Sequence, residues 1–210
     1  MLNNQTLSFV FFIFTLLSAS TYAAEDNAQA QRVIENSSNQ IKQTLQQPAY
    51  QHDFNKATQF VDGVVTEFVD MPRISLLVLG KNIRKSTVEQ RRRFIKEFKT
   101  LLVRTYTRAF LEYQDWSITF VPYHDNKSDR KTLVKSLIHQ PGKQPIDASY
   151  RMVLSKNGEW KVYDIIIGGV SLVTTYRTSF NQKIAQSGSL ESVIQDLVEK
   201  NSKATPEKEI

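Results

Sequence analysis

Residues 146–167 read IDASYRMVLSKNGEWKVYDIII. Two runs of alternating character, Ile146 to Leu154 and Trp160 to Ile167, flank Asn157-Gly158. Asn-Gly between period-two runs is the strongest short-range hairpin signal. With a two-residue turn, counting outward sets Lys156 against Glu159, Val153 against Val162, Met152 against Tyr163, Arg151 against Asp164 and Tyr150 against Ile165. Two opposite-charge pairs then fall into register, as cross-strand pairing favours. One face carries Tyr150, Met152, Leu154, Tyr163, Ile165 and Ile167; the other is mixed, with Arg151, Val153, Trp160, Val162 and Asp164.

Upstream, Trp116 to Tyr123 and Lys131 to His139 also alternate, and the polar stretch Asp125 to Asp129 separates them as a turn. On both sides of these four predicted strands the period changes to that of helices. Before them come a weakly amphipathic helix from Gln31 to Gln46, a stronger one from Phe54 to Val69, and a short one opened by Pro72 and stopped at Gly80. A long helix follows, from a capping box at Ser86-Thr87-Val88-Glu89 to about Tyr113. After the strands, Gly168-Gly169 ends the sheet. Ser171 then opens a helix that closes near Gly188, and a last helix spans Ser189 to Lys200. Helices, four strands, helices, with no βαβ alternation, predict one α+β domain: an antiparallel sheet wrapped by N- and C-terminal helices.

The chain of 210 residues can hold one domain with a sizeable core. Its first 23 residues are set apart. The apolar run Leu7 to Leu17 is too short to span a bilayer, and the small residues Ser18 to Ala24 follow it. This is the layout of a secretory signal peptide cleaved after Ala23, although no Lys or Arg precedes the run. The domain is therefore placed at 24–200, with residues 25–31 read as a flexible start and 201–210 as a disordered tail. There is no cysteine, which excludes thiol catalysis and Cys-based zinc sites. All 27 Lys and Arg and all 21 Asp and Glu lie beyond the leader, so the exported part keeps the net charge of +6. Outside the cell that charge suits anionic lipid headgroups or acidic protein partners better than nucleic acid.

Catalytic constellations are sparse. His52, His124 and His139 lie in no triad or metal-ligand spacing. Asp164, set in an apolar strand, is the one candidate general base; the register offers it Arg151 as an ion-pair partner instead. The apolar surplus on the helix faces and the inner sheet face reads either as ordinary core or as the wall of an internal pocket. Lys81 to Arg93 reads either as a solvated face or as a headgroup or partner patch.

Several runs together carry a family resemblance. They are Gly158-Glu159-Trp160-Lys161-Val162-Tyr163-Asp164, Gly169-Val170-Ser171-Leu172, Tyr176-Arg177 with Phe180, Leu77-Val78-Leu79-Gly80, and STVEQRRRFIKEF at 86–98. Over residues 30 to 200 this chain resembles the MlaC family, periplasmic phospholipid-binding proteins of the Mla lipid-asymmetry pathway. Two positions depart from the family pattern: Gly168 stands where Glu is usual, and Thr175 where Asn is frequent. The resemblance implies no enzyme and no cofactor. It implies that the antiparallel sheet is curved and that phospholipid tails are held between sheet and helices, with Leu79, Leu102, Met152, Tyr163, Ile165, Ile167, Val170, Val173 and Tyr176 as the candidate lining. Arg91, Arg92 and Arg177 are the candidates for headgroup or partner contact. The implied partners are an outer-membrane lipoprotein–porin complex and an inner-membrane ABC transporter with an MCE-domain subunit. The open rivals are a cone-shaped α+β enzyme using Asp164 and an exported adaptor with a basic docking face.

Overall fold

The computed structural model describes residues 19–113, 115–122 and 130–203. The order is α1 (Ala19–Leu45), α2 (Pro48–Gln51), α3 (Phe54–Phe68), α4 (Met71–Leu79), a 3₁₀ helix (Gly80–Lys85) and α5 (Val88–Glu112). Strands β1 (Ser117–Val121), β2 (Lys131–His139), β3 (Ile146–Leu154), β4 (Trp160–Ile167) and β5 (Val170–Ser171) follow, then α6 (Leu172–Ser187) and α7 (Leu190–Ser202). The strands form one antiparallel sheet in the order β1-β2-β3-β4-β5. The expected α+β architecture is therefore present, with β5 as a two-residue fifth strand after Gly168-Gly169. The apolar run Leu7 to Leu17 and the rest of the leader up to residue 18, the Asp125–Asp129 turn with His124, and the tail beyond Lys203 lie outside the described residues.

Local chemistry explains most of the boundaries. Asp53 caps α3 through Lys56 N–H, Asp70 caps α4 through Arg73 N–H, and Ser171 and Ser189 do the same for α6 and α7. The α5 capping box sits one residue later than expected. Thr87 accepts from Gln90 N–H while the Gln90 side chain accepts from Thr87 N–H; Ser86 instead donates its hydroxyl to Ile83 O. Gly188 closes α6 at φ +78°, a left-handed conformation suited to glycine. Residues 25–31 are not a flexible lead-in; they belong to α1, whose Ala30 and Ile34 are buried against the sheet. That burial stabilises a segment whose sequence alone shows little amphipathic pattern.

The hairpin differs from the two-residue reading, for a reason visible in its backbone. A type I′ turn needs positive φ at both central residues. Here only Gly158 is left-handed, at φ +79°; no residue other than glycine has positive φ among the described residues. The loop is therefore three residues, Lys156 to Gly158, with Gly158 N–H donating to Ser155 O at 3.2 Å. Ser155, not Lys156, opposes Glu159. Met152 opposes Val162, and Val153 opposes Lys161, correcting the expected Val153–Val162 and Met152–Tyr163 pairs. A bulge between Arg151 and Met152 on the β3 side then takes up Tyr163 as an extra residue of β4. Beyond it the expected pairs return, Arg151 with Asp164 and Tyr150 with Ile165.

The core has three parts. One lies under α1 on the sheet face of Val134, Ala148, Tyr150, Met152, Trp160 and Val162. A second joins α4, α5, α6 and α7 around Leu79, Phe94, Phe98, Val173 and Phe180. A third joins α1, α3 and α5 around Ile41, Val61 and Val103. Val69, linked to Val162 by a parallel bridge, packs against both the sheet cluster and the α4–α7 cluster.

Candidate functional site

β4 is the boundary between the sheet and the helices. Its Val162 and Ile165 pack with the sheet cluster, whereas the bulged Tyr163 packs with the α4–α7 cluster. The candidate lining residues divide along this seam. Leu79, Leu102, Tyr163, Val173 and Tyr176 belong to the helical side, where Tyr176 meets Phe98 edge-on at 5.0 Å and stacks on Phe180. Met152 and Ile165 belong to the sheet side. Ile167 is half-buried, and Val170 is 58% exposed at the hairpin tip. Leu79 and Met152 keep no accessible surface, so neither borders open space in this structure; both sit deep on their sides of the seam.

The sheet register extends the apolar face to its rim. Ile118, Ile138 and Ile146 stand side by side across β1, β2 and β3, and Ala148, Ile167 and Val170 across β3, β4 and β5. All of these except Ala148 keep accessible surface. The seam thus runs from a dry interior at Met152 and Leu79 to an apolar lip ending at Val170. A separate small cavity of about 10 Å³ lies between Ile41, Leu45, Phe110 and Trp116, with room for a water molecule and no more.

Polar groups at the seam are few; Trp160 Nε1 and Ser75 Oγ are buried without a hydrogen-bond partner, whereas Asp164 is fully engaged. Asp164 is 3% exposed. Its Oδ2 accepts from Arg151 Nη1 at 2.9 Å and from the Ser171 hydroxyl at 2.7 Å, and its Oδ1 accepts from Val173 N–H at 3.1 Å. Ser171 in turn accepts from Thr174 N–H. One carboxylate thus ties β3, β4, β5 and the first turn of α6 together behind the lip. A general base would need that carboxylate free and Arg151 elsewhere, so the geometry supports the ion-pair reading. Tyr150 is buried on the apolar face; burial pushes its phenol above the ordinary range, and the hydrogen bond with Ser136 partly offsets this. His52 is exposed and His139 half-buried. Among the described residues no group of His and carboxylates could hold a metal.

The three candidate arginines have different environments. Arg91 donates to Ile83 O and Ser86 O, bracing the 3₁₀ helix from inside. Arg177 Nε donates to Leu77 O at 2.6 Å and its chain covers Gly80, closing the end of α4. Arg92 is exposed and pairs with Glu89 at 3.3 Å. Sequence reasoning missed the seam residue Val69 and the Ser171–Val173 share of the Asp164 cluster. The first is a plain β-branched residue between two elements, and the second needs the β4–β5 turn to bring distant positions together.

The family model of the MlaC protein matches residues 35–199. The chain belongs to the MlaC family. Among its relatives, the MlaC-family member is 27% identical over 141 residues to the toluene tolerance protein ttg2D of Pseudomonas putida, covering 66% of this chain and 64% of that one. It is 26% identical over 129 residues to the intermembrane phospholipid transport system binding protein MlaC of Haemophilus influenzae, covering 60% of each. Both matches span less than two thirds of the relative's own length. Its fold matches that of a phospholipid-binding protein from Ralstonia solanacearum, solved in complex with a phospholipid, with TM-score 0.75 and 29% identity over 83% of this chain and 97% of that chain. Among the described residues no helix is long and apolar enough to cross a membrane.

Proposed function

We propose that this MlaC-family chain is a phospholipid carrier of the periplasm and not an enzyme. After removal of a leader ending near Ala23, a single domain takes the lipid's acyl tails into the seam between sheet and helices. It carries them between an outer-membrane lipoprotein–porin complex and an inner-membrane ABC transporter with an MCE-domain subunit, maintaining outer-membrane lipid asymmetry. The observation that carries the reading is the close likeness to a protein solved with a phospholipid bound. The apolar seam between the sheet and helical clusters, with Val170 exposed at its edge, supports it.

The physics requires no chemistry on the carrier. Each CH₂ withdrawn from water is worth roughly 0.8 kcal/mol, so a two-chain lipid does not cross an aqueous space unaided. A protein interior as apolar as the bilayer removes most of that barrier and leaves the net exchange near zero, which makes handover reversible. Side chains such as Leu102, Tyr163, Ile165 and Tyr176, which keep part of their surface, are the ones that must part for the tails.

Native mass spectrometry of the purified mature protein tests the reading: the expected result is a co-purifying phospholipid. A protein without lipid that also extracts none from vesicles refutes it. Val170→Glu places a carboxylate on the exposed lip at small cost to stability and is expected to lower lipid content severalfold. Unchanged lipid content would remove Val170 from the entrance.

A further inference from the structure

The charge of this protein is concentrated in one place. Between Met71 and Lys96 the sequence holds eight Lys and Arg and a single acid, Glu89, a net of +7. The whole chain nets +6, so the remainder is close to neutral at −1.

Within that segment the structure separates cations that brace the fold from cations that face outward. Arg91 turns inward to the carbonyls of Ile83 and Ser86. Arg73 and Arg93 pair with Asp70 and Glu191. Lys81, Arg84 and Lys85, on the 3₁₀ helix, are exposed, and none of them forms an ion pair among the described residues. The helix that carries them is held on three sides: Gly80 lies under the Arg177 side chain, Asn82 donates to Asn181 at 2.6 Å, and Arg91 fills its inner face. Next to the three cations Val88, the first residue of α5, is 65% exposed, the largest exposure among the exposed large apolar residues described. Leu76, on the last turn of α4, is a further exposed apolar side chain.

We propose that this knuckle, Lys81, Arg84 and Lys85 with Val88, docks the protein on an anionic phospholipid bilayer surface. The three cations on the 3₁₀ helix are followed within three residues by an exposed aliphatic side chain, so the patch couples positive charge to apolar surface. Those are the two contributions that interfacial binding adds together. Its rigidity means that little ordering is needed on contact. The patch does not depend on the seam, so this inference stands apart from the carrier reading.

Flotation of the full mature chain with vesicles of phosphatidylethanolamine and phosphatidylglycerol in equal parts, against phosphatidylcholine alone, tests it. The expected result is binding to the anionic vesicles only, weakened as salt shortens the screening length. Each basic residue near such a surface contributes roughly fivefold in affinity, so the Lys81→Gln, Arg84→Gln, Lys85→Gln triple variant should lose on the order of a hundredfold. Val88→Gln should lose severalfold at every salt concentration, because burial of its methyl groups is not screened. Lipid content of the triple variant by native mass spectrometry should equal wild type, which keeps the docking question separate from carriage. Equal binding to neutral vesicles, an unchanged triple variant, or no binding to the anionic vesicles would overturn the proposal. In the last case the patch serves an acidic protein surface instead.

Discussion

Replacing Asp164 by alanine deletes one acceptor group that three donors share: the Arg151 guanidinium, the Ser171 hydroxyl and the Val173 amide. The three losses are unequal. The Arg151 side chain is 47% exposed, so water takes over its solvation and the ion pair itself counts for about 1 kcal/mol or less. The Val173 N–H is a buried orphan of the first turn of α6, and leaving it unpaired costs about 1–3 kcal/mol. The Ser171 hydroxyl keeps its role as acceptor for Thr174 and loses only its own acceptor, about 1 kcal/mol. Together these give about 3–4 kcal/mol, in the range for breaking one half of a buried pair. Asp164→Asn retains an oxygen for Val173 and should cost about half as much. Urea unfolding followed by far-UV circular dichroism reads this directly. With a slope of about 2 kcal/mol/M, Asp164→Ala should lower the midpoint by roughly 1.5–2 M. Arg151→Ala should shift it far less. A cost below about 1 kcal/mol for Asp164→Ala, or equal costs for Asp164→Ala and Arg151→Ala, would refute the reasoning, because the buried amide would then not be the dominant loss.

Two further expectations are local. Thr87→Ala removes one half of the α5 capping box and should cost about 1 kcal/mol, with lipid content unchanged; a neutral result in urea unfolding would show that Ser86 substitutes as cap. The Tyr150 phenol is raised above its unfolded value of 10.0 by burial, so its neutral form is favoured in the folded state. Its contribution is therefore fully present below pH 10 and is lost as pH rises through the higher folded value. Tyr150→Phe should flatten the alkaline fall in stability, and identical alkaline unfolding profiles would refute this.

Much of the fold was legible because its signals are local. The period-two runs mark β2, β3 and β4 at the residues where the structure has them, serine caps mark the starts of α6 and α7, and Gly188 marks the end of α6. The pairing of Arg151 with Asp164 was also readable, since opposite charges in an apolar hairpin have few other arrangements. Asn157-Gly158 located the turn without revealing its length, which depended on Asn157 not taking the positive φ of a two-residue type I′ turn.

What the sequence determined by itself is the α+β order, the hairpin and a surplus of apolar side chains facing a sheet, all consequences of spacing along the chain. What only the tertiary structure decided is which of those side chains meet. A single bulge sends Tyr163 to the helices and leaves Ile165 with the sheet. Arg91 and Arg177 turn to backbone carbonyls eight and 100 positions away, while Lys81, Arg84 and Lys85 stay in water. Periodicity assigns a residue to a face of its own element, whereas its partner is set by contacts between elements distant in the chain, and no short-range pattern encodes those.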